Sequence, residues 1–339
     1  MAATYKDIQR MTGLSLATIS KYFNGGQVRS ENRKAIEEAI QKLDFHVNAY
    51  ARSLKSKHSR LIGGLIPELD STFNTRMMAE AEEYLRQRGY GLIICDSRLD
   101  QESEKEALEF LLGRMVDGIL TIPFDKTGQH LIEARNRNVP VVLLDRLATE
   151  FQTDGVVIDN AEASRLAAEE FIRNGHREIA IINGPGSLYT MRERLRGFQE
   201  TLIAHGLPIR QEWMLDGPIT MDAGYENAKH LMSMWHRPTA LFCANYEITL
   251  GTIMALNEMG IRVPEDISLI GFDNLPLAGI IKPRLTMIMQ PMKELSHKAA
   301  ELLISRIEGT AETEEHQIIT MPPQLIPGDS VKKMNASGQ

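Results

Sequence analysis

Cysteine is scarce. The 339 residues hold two, Cys95 and Cys243, each inside an apolar run (92–95 and 241–244). That placement predicts reduced core thiols and excludes both a disulfide scaffold and a cysteine metal site. Long apolar runs are missing as well, with nothing near the ~18–20 residues a membrane span needs. The opening Met1-Ala2-Ala3-Thr4-Tyr5-Lys6-Asp7 lacks the apolar core of a secretory signal. The expectation is a cytoplasmic protein with no membrane partner. Catalytic motifs are absent too: no glycine-rich nucleotide loop, no Gly-x-Ser-x-Gly and no paired-histidine motif, and the nine histidines are scattered. Neither an enzyme nor a cofactor or metal protein is expected. His176, after Asn174-Gly175 at a helix end, reads as a structural cation facing the helix dipole.

What is present is a charge asymmetry. Residues 1–60 carry 11 Lys/Arg against 5 Asp/Glu, net +6, and the remainder carries 27 against 40, net −13. A small basic head on an acidic body points to a head that meets a polyanion. The patterns of the two parts differ as well. Residues 4–45 predict helices only: a short helix capped by Thr4 and broken at Gly13, a second over 16–23 capped by Ser15 and ended by Asn24-Gly25-Gly26, and a third from Ser30 with Ile36, Ala39, Ile40 and Leu43 inward. Beyond residue 60, strand-like runs at 61–66, 91–95, 118–122, 139–144, 156–158, 179–182, 240–244 and 267–271 alternate with amphipathic helices. That alternation predicts βαβ units, parallel sheets with helices on both faces, and two similar lobes with a ligand between them at the strand ends.

In the head, Ile8, Leu14, Ile19 and Phe23 supply buried positions and Gly13 a turn. Leu16, Ala17, Ser20 and Lys21 are left outward, and Thr4, Ser15 and Thr18 carry hydroxyls that suit phosphate. A helix-turn-helix and a plain three-helix bundle both fit that spacing.

The motifs Lys6-Asp7-Ile8, Thr12-Gly13-Leu14-Ser15-Leu16-Ala17-Thr18-Ile19-Ser20-Lys21, Asn24-Gly25 and Asn48-Ala49-Tyr50-Ala51-Arg52-Ser53-Leu54 resemble the head and hinge of the lactose repressor/galactose repressor (LacI/GalR) family. The resemblance runs on to about residue 330, through 139–146, 174–177, 194–198, 262–268 and Gly271-Phe272-Asp273. It implies an all-α helix-turn-helix head (1–46), a hinge helix and linker (47–60), and an α/β two-lobed body (61–330) similar to periplasmic binding proteins. The first lobe takes about 61–158 plus 290–318, the second about 159–289 plus 319–330, and 331–339 reads as a disordered tail. The DNA-contacting set implied is Thr4, Tyr5, Ser15, Leu16, Ala17, Thr18, Ser20, Lys21 and Asn24 in the head, and Asn48, Ala51 and Leu54 in the hinge. Leu16 and Ala17 offer apolar contact to base edges, Lys21 stands where the family usually has Arg, and Leu54 matches a minor-groove wedge. Gln9, Asp44 and Val47 depart from the pattern, where a small residue, Gly and Pro are usual.

For the body, the resemblance implies a small effector, a sugar or sugar derivative, held by Arg194 with Thr190 in the same motif. Asn245, Asp145 and Asp273 come from strand ends, Phe73 is an apolar platform, and Arg146 and Gln290 join them. Tyr246 stands where the family commonly has Asp, which leaves a purine or a phosphorylated effector open. The implied assembly is a homodimer on a pseudo-palindromic operator. Exported sugar-binding proteins share such a body but lack a basic helical head.

Overall fold

The computed structural model describes residues 3–23, 26–45, 58–273 and 279–334. The chain divides into two compact units, Met1–Ser59 and Arg60–Gln339.

Three helices make the first unit: α1 (Tyr5–Thr12), α2 (Leu16–Phe23) and α3 (Ser30–Leu43). Thr4 starts α1, its backbone N–H and hydroxyl both donating to the Asp7 carboxylate at 2.9 and 2.7 Å. Gly13 ends it with a left-handed φ of 69°. The Thr18 N–H donates to the Ser15 hydroxyl oxygen at 3.2 Å and fixes the start of α2. Ile8, Ile19, Ile36 and Ala39 are buried between the helices. The Tyr5 ring stacks on Phe23, centroids 5.0 Å apart, and tilts against Phe45 at 5.6 Å. α3 stops at Asp44, which adopts a left-handed φ of 46° where glycine is the usual residue. The hinge assignment 47–60 falls mostly on residues outside those described.

The second unit holds two six-stranded sheets. The first contains β1 (Leu61–Ile66), β2 (Gly91–Asp96), β3 (Gly118–Thr121), β4 (Val141–Leu144), β5 (Asp154–Ile158) and β11 (Ile318–Met321), in the order β11-β5-β4-β3-β1-β2. The second contains β6 (Ile179–Ile182), β7 (Met214–Leu215), β8 (Ala240–Cys243), β9 (Ser268–Phe272), β10 (Thr286–Met289) and β12 (Gln324–Ile326), in the order β12-β10-β9-β8-β6-β7. The two orders superimpose strand for strand, with β1 answering to β6 and β4 to β9. All pairings are parallel except β10 with β12. Runs such as Ile179-Ala180-Ile181-Ile182 are buried throughout, as central parallel strands covered on both faces require. Helices α4 (Thr72–Gln87), α5 (Gln101–Gly113), α6 (Ile132–Asn136) and α11 (Met292–Glu308) serve the first sheet. Helices α7 (Asn160–Arg173), α8 (Tyr189–Ala204), α9 (Met221–Ser233) and α10 (Tyr246–Glu258) serve the second.

The eight strands read from the sequence are present with ends within two residues. Three features correct the reading. The last crossing between lobes lies between Met321 and Gln324 rather than at 318–319, because Ile318–Met321 adds a parallel strand beside β5. Residues 331–334 are not a free tail: Lys332 N–H donates to the Ser268 hydroxyl at 3.0 Å and Met334 N–H to the Asn174 carbonyl at 2.8 Å, and Val331 packs on the core. Residues 335–339 lie outside those described. His176 is structural but not a cation. Its ring is fully buried with Thr239, Lys332 and Ser268 as partners, and burial pushes its pKa down to about 4.

Candidate functional site

Between the sheets, at the carboxyl ends of their strands, lies a cavity of about 340 Å3. All nine body residues singled out from the sequence line it: Phe73, Asp145, Arg146, Thr190, Arg194, Asn245, Tyr246, Asp273 and Gln290. A larger hollow of about 430 Å3 lies between α4, α11 and β11, but its charged side chains, among them Arg88, Lys298 and Glu301, sit at the surface rather than converging in the interior.

Two aspartates occupy equivalent places. Asp145 follows β4 and Asp273 follows β9, with left-handed φ values of 66° and 57°. Each N–H donates across to the next strand, Asp145 to Val156 at 3.0 Å and Asp273 to Ile288 at 2.7 Å. The left-handed backbone is strained for a side chain larger than glycine, and here it turns a carboxylate into the interior from each lobe. Both side chains are buried. Burial raises the proton affinity of both, Asp273 to about 6, opposed at Asp273 chiefly by Arg194 and at Asp145 by Arg146 and then Arg194.

Arg194 lies between them. It projects from α8, 3% exposed. Its Nε donates to Asn160 Oδ1 at 2.8 Å, and Nη1 donates to the Ala244 carbonyl at 2.6 Å. The guanidinium carbon lies 3.7 Å from the centre of the Phe272 ring. Burial lowers its pKa to about 10, and Asp273 and then Asp145 pull it back. Gly197, one turn along α8, makes this reach possible. A Cβ there would stand 2.2 Å from the Ala161 carbonyl oxygen, so α8 lies tight against the start of α7, where Asn160 sits. Asn160 and Phe272 escaped the sequence reading. Asn160 carries no motif signal, and Phe272 sits inside one that pointed only at its neighbour.

The remaining residues divide by how far the protein uses their polar atoms. Asp273 accepts from the Gln290 N–H at 3.2 Å and from Gln290 Nε2 at 2.8 Å. Gln290 Oε1 is buried without a hydrogen-bond partner. Asn245 caps α10 through Oδ1, accepting from Glu247 and Ile248 N–H at 2.8 and 3.4 Å, so its amide NH2 alone is left for the cavity. Tyr246 opens α10, half-buried in the wall. Arg146 sits 3.5 Å from Asp145 and donates to the Pro123 carbonyl at 3.5 Å. Phe73 is half-buried at the start of α4, and Thr190 is buried in α8. Glu68 and Glu247 also line the cavity; Glu68 follows β1 without any motif, and Glu247 stands beside Tyr246 in the first turn of α10 with no motif signal of its own.

In the head, Leu16 is 40% exposed, and Ala17 and Lys21 are exposed beside it. Ser20 and Thr18 are half-buried. The hydroxyls of Ser15 and Thr18 bond each other at 2.9 Å, while that of Thr4 is held by Asp7. The Tyr5 ring is committed to the core of the head. Asn24, Asn48, Ala51 and Leu54 lie outside the described residues. No helix among the described residues is long and apolar enough to cross a membrane.

Comparison with known proteins agrees with this layout. A family model for a periplasmic binding protein-like domain matches residues 168–331. The HTH-type transcriptional repressor PurR of Actinobacillus pleuropneumoniae serotype 3 (strain JL03) is 33% identical over 334 residues, covering 98% of this chain and 99% of its own length. The lac repressor dimer bound to operator and the anti-inducer ONPF superimposes with a TM-score of 0.86 at 26% identity, over 98% of this chain and 100% of that one. The complex of the transcriptional regulator CelR with cellobiose gives a TM-score of 0.73 at 28% identity, over 97% and 99% of the two chains. These relatives are transcriptional regulators, not enzymes.

Proposed function

Because the chain belongs to the LacI/GalR family of transcription regulators, we propose that it is a cytoplasmic repressor whose affinity for a pseudo-palindromic operator is set by a small hydroxylated effector bound between the lobes of the body. One observation carries this reading: Arg194, a buried cation on the second lobe, is flanked by Asp145 of the first and Asp273 of the second, beside a cavity large enough for a sugar. Planar groups that donate or accept in pairs suit vicinal hydroxyls, and Phe73 and Tyr246 supply faces for the ring carbons. A ligand touching both lobes favours one closure of the body, and whatever differential affinity it has must reappear as a change in operator affinity.

The head reads DNA through Leu16 and Ala17 against base edges and Lys21 as a point-charge donor. Residues 47–60, with Asn48, Ala51 and Leu54, complete the contact as a hinge. A second copy of the chain supplies the other half-site. The exposed apolar side chains Ile94, Phe110 and Met115 of the first lobe and Met221, Met254 and Ile280 of the second are of the kind a homodimer covers.

The test is operator binding by the full chain in a fluorescence-anisotropy titration, with and without each of a panel of sugars. A sugar that shifts operator affinity in the wild type but not in Phe73→Ala supports the cleft. A sugar effect that survives Phe73→Ala unchanged places the effector elsewhere. Absence of salt-sensitive binding to any palindromic DNA selected from a random pool would overturn the DNA assignment.

A further inference from the structure

The charges of the cavity do not balance. Its wall carries four carboxylates, on Glu68, Asp145, Glu247 and Asp273, against two guanidinium groups, on Arg146 and Arg194, and no lysine or histidine. Both arginines already face carboxylates: Arg194 faces Asp273 and Asp145, and Arg146 lies 3.5 Å from Asp145, although its buried Nε makes no hydrogen bond. Glu68 and Glu247 remain. They come from opposite lobes, Glu68 from the loop after β1 and Glu247 from the first turn of α10, and Glu68 feels the charge of Glu247 across the cleft. Among the described residues, neither makes an ion pair. Glu247 has only its own backbone and Asn245 to favour its charged form, and burial outweighs them. Glu68 is pushed the same way by burial, then by Asp70 and Glu247, with Arg146 opposing.

A second, independent feature has the same sense. Gln290 is 6% exposed and lines the cavity, and its Oε1 is buried with no donor. An acceptor left in this state is costly to bury, and a ligand donor recovers that cost. The cavity is thus short of positive charge, and the Gln290 acceptor in its wall lacks a donor. A phosphorylated sugar would bring at least one more negative charge into a wall that already has two in excess, and a neutral sugar would leave that excess unanswered.

We propose that the effector is a cation, an amine-bearing polyol of the amino-sugar class, with its ammonium held where Glu68 of the first lobe and Glu247 of the second face the same cavity. The inference rests on the cleft reading above and adds the charge of the ligand to it. The ammonium has three donors and a compact charge, so it answers two carboxylates at once. The hydroxyls meet Asp145, Asp273 and Arg194, and a further donor meets Gln290 Oε1. Because the two glutamates lie on different lobes, the cation also cancels the repulsion that opposes closure.

Isothermal titration of the full-length protein with three matched sets tests this: glucosamine, galactosamine and mannosamine; their neutral parents; and the 6-phosphates of those parents, with guanine as an unrelated donor-rich ligand. The expected result is an amino sugar that binds about tenfold or more tighter than its neutral parent, with the phosphate weakest. In Glu247→Gln and Glu68→Gln that preference for the amino sugar over its neutral parent should fall toward one. Both changes preserve shape and remove repulsion, so folding is retained. Phe73→Ala should weaken all sugars together. Failure of every amino sugar to bind overturns the inference. If neutral or phosphorylated sugars, or guanine, bind instead and Phe73→Ala weakens them, the cleft stands and the cation falls. An amino sugar indifferent to Phe73→Ala and to both glutamate changes overturns the cleft reading as well.

Discussion

The head and the cleft use polar groups in opposite ways. In the head, hydroxyls are satisfied within the protein: Thr4 by Asp7, Ser15 and Thr18 by each other. What α2 leaves outward is apolar, Leu16 and Ala17, with one exposed cation, Lys21. In the cleft the reverse holds. Carboxylates are buried, their proton affinity is raised, and the Gln290 oxygen has no partner. A surface with satisfied groups loses little by being empty and discriminates weakly through each contact. A buried, unsatisfied one is unstable when empty and discriminates strongly, because a ligand that fails to supply the missing partners leaves them unpaired. Under the function proposed above, the difference suits one surface that samples many DNA sites and another that answers to one small molecule.

The largest effect should come from breaking the cleft at its centre. Arg194→Met keeps much of the volume over Phe272 but leaves Asp145 and Asp273 without their shared cation and Asn160 and the Ala244 carbonyl without a donor. Loss of one partner from a buried charged set costs roughly 3–5 kcal/mol. Urea unfolding should show that loss in the body transition while the head, a separate unit, keeps its helicity. Stability unchanged within about 0.5 kcal/mol would mean that the carboxylates are not held by Arg194.

A smaller effect separates the two aspartates' electrostatics from their geometry. The Asp273 carboxyl titrates at about 6 when folded against an ordinary 3.8. Between those values the folded chain holds a proton that the unfolded chain has released, so this group's contribution to stability falls as pH rises from about 4 to about 6. His176 acts with the opposite sign. Its folded pKa is lowered from 6.5 to about 4, so its contribution is present above 6.5 and is lost as pH falls toward 4. The two offset each other in the wild type, and the informative quantity is a difference. Relative to the wild type, Asp273→Asn should gain roughly 1–3 kcal/mol on going from pH 4 to pH 7. The Gln290 amide can turn to accept from the new amide. Thermal melts across that range, with parallel curves for the two proteins, would show that Asp273 carries no such burden.

Periodicity and motif together made much of the fold legible. Long apolar strands and amphipathic helices need only their neighbours in sequence to be recognised. What was missed depends on distant partners. β11 and β12 are short, partly exposed edge strands, and nothing in Ile318-Ile319-Thr320-Met321 states which sheet it joins. Residues 331–334 look like a polar tail until the Ser268 hydroxyl and Asn174 carbonyl are in place. Among the cavity residues, those inside recognisable motifs were legible. Asn160, Glu68 and Glu247 were not, because their roles arise from Gly197 bringing α8 against α7 and from one lobe facing the other. The dipole argument for His176 failed for the same reason, since burial by residues 63 to 156 positions away decides its charge.

The smallest effect compares the same backbone conformation in the two units. Asp44, Asp145 and Asp273 all adopt left-handed φ values, which glycine would adopt at lower cost. In the cleft the side chain is the reason for the strain, so Asp273→Gly should relax the backbone and still abolish effector-dependent operator binding. Asp44 ends α3 at an exposed position in the head. There Asp44→Gly should raise the head's melting transition, a gain of roughly 0.5–1 kcal/mol, because aspartate already tolerates this region better than most residues and glycine loses more entropy on folding. Helicity of the full chain, followed by circular dichroism, should show the lower-stability transition move upward and the body transition stay. If Asp44→Gly instead lowers the head's stability, the aspartate side chain outweighs its backbone cost there too, and the contrast between a strained cap and a strained site disappears.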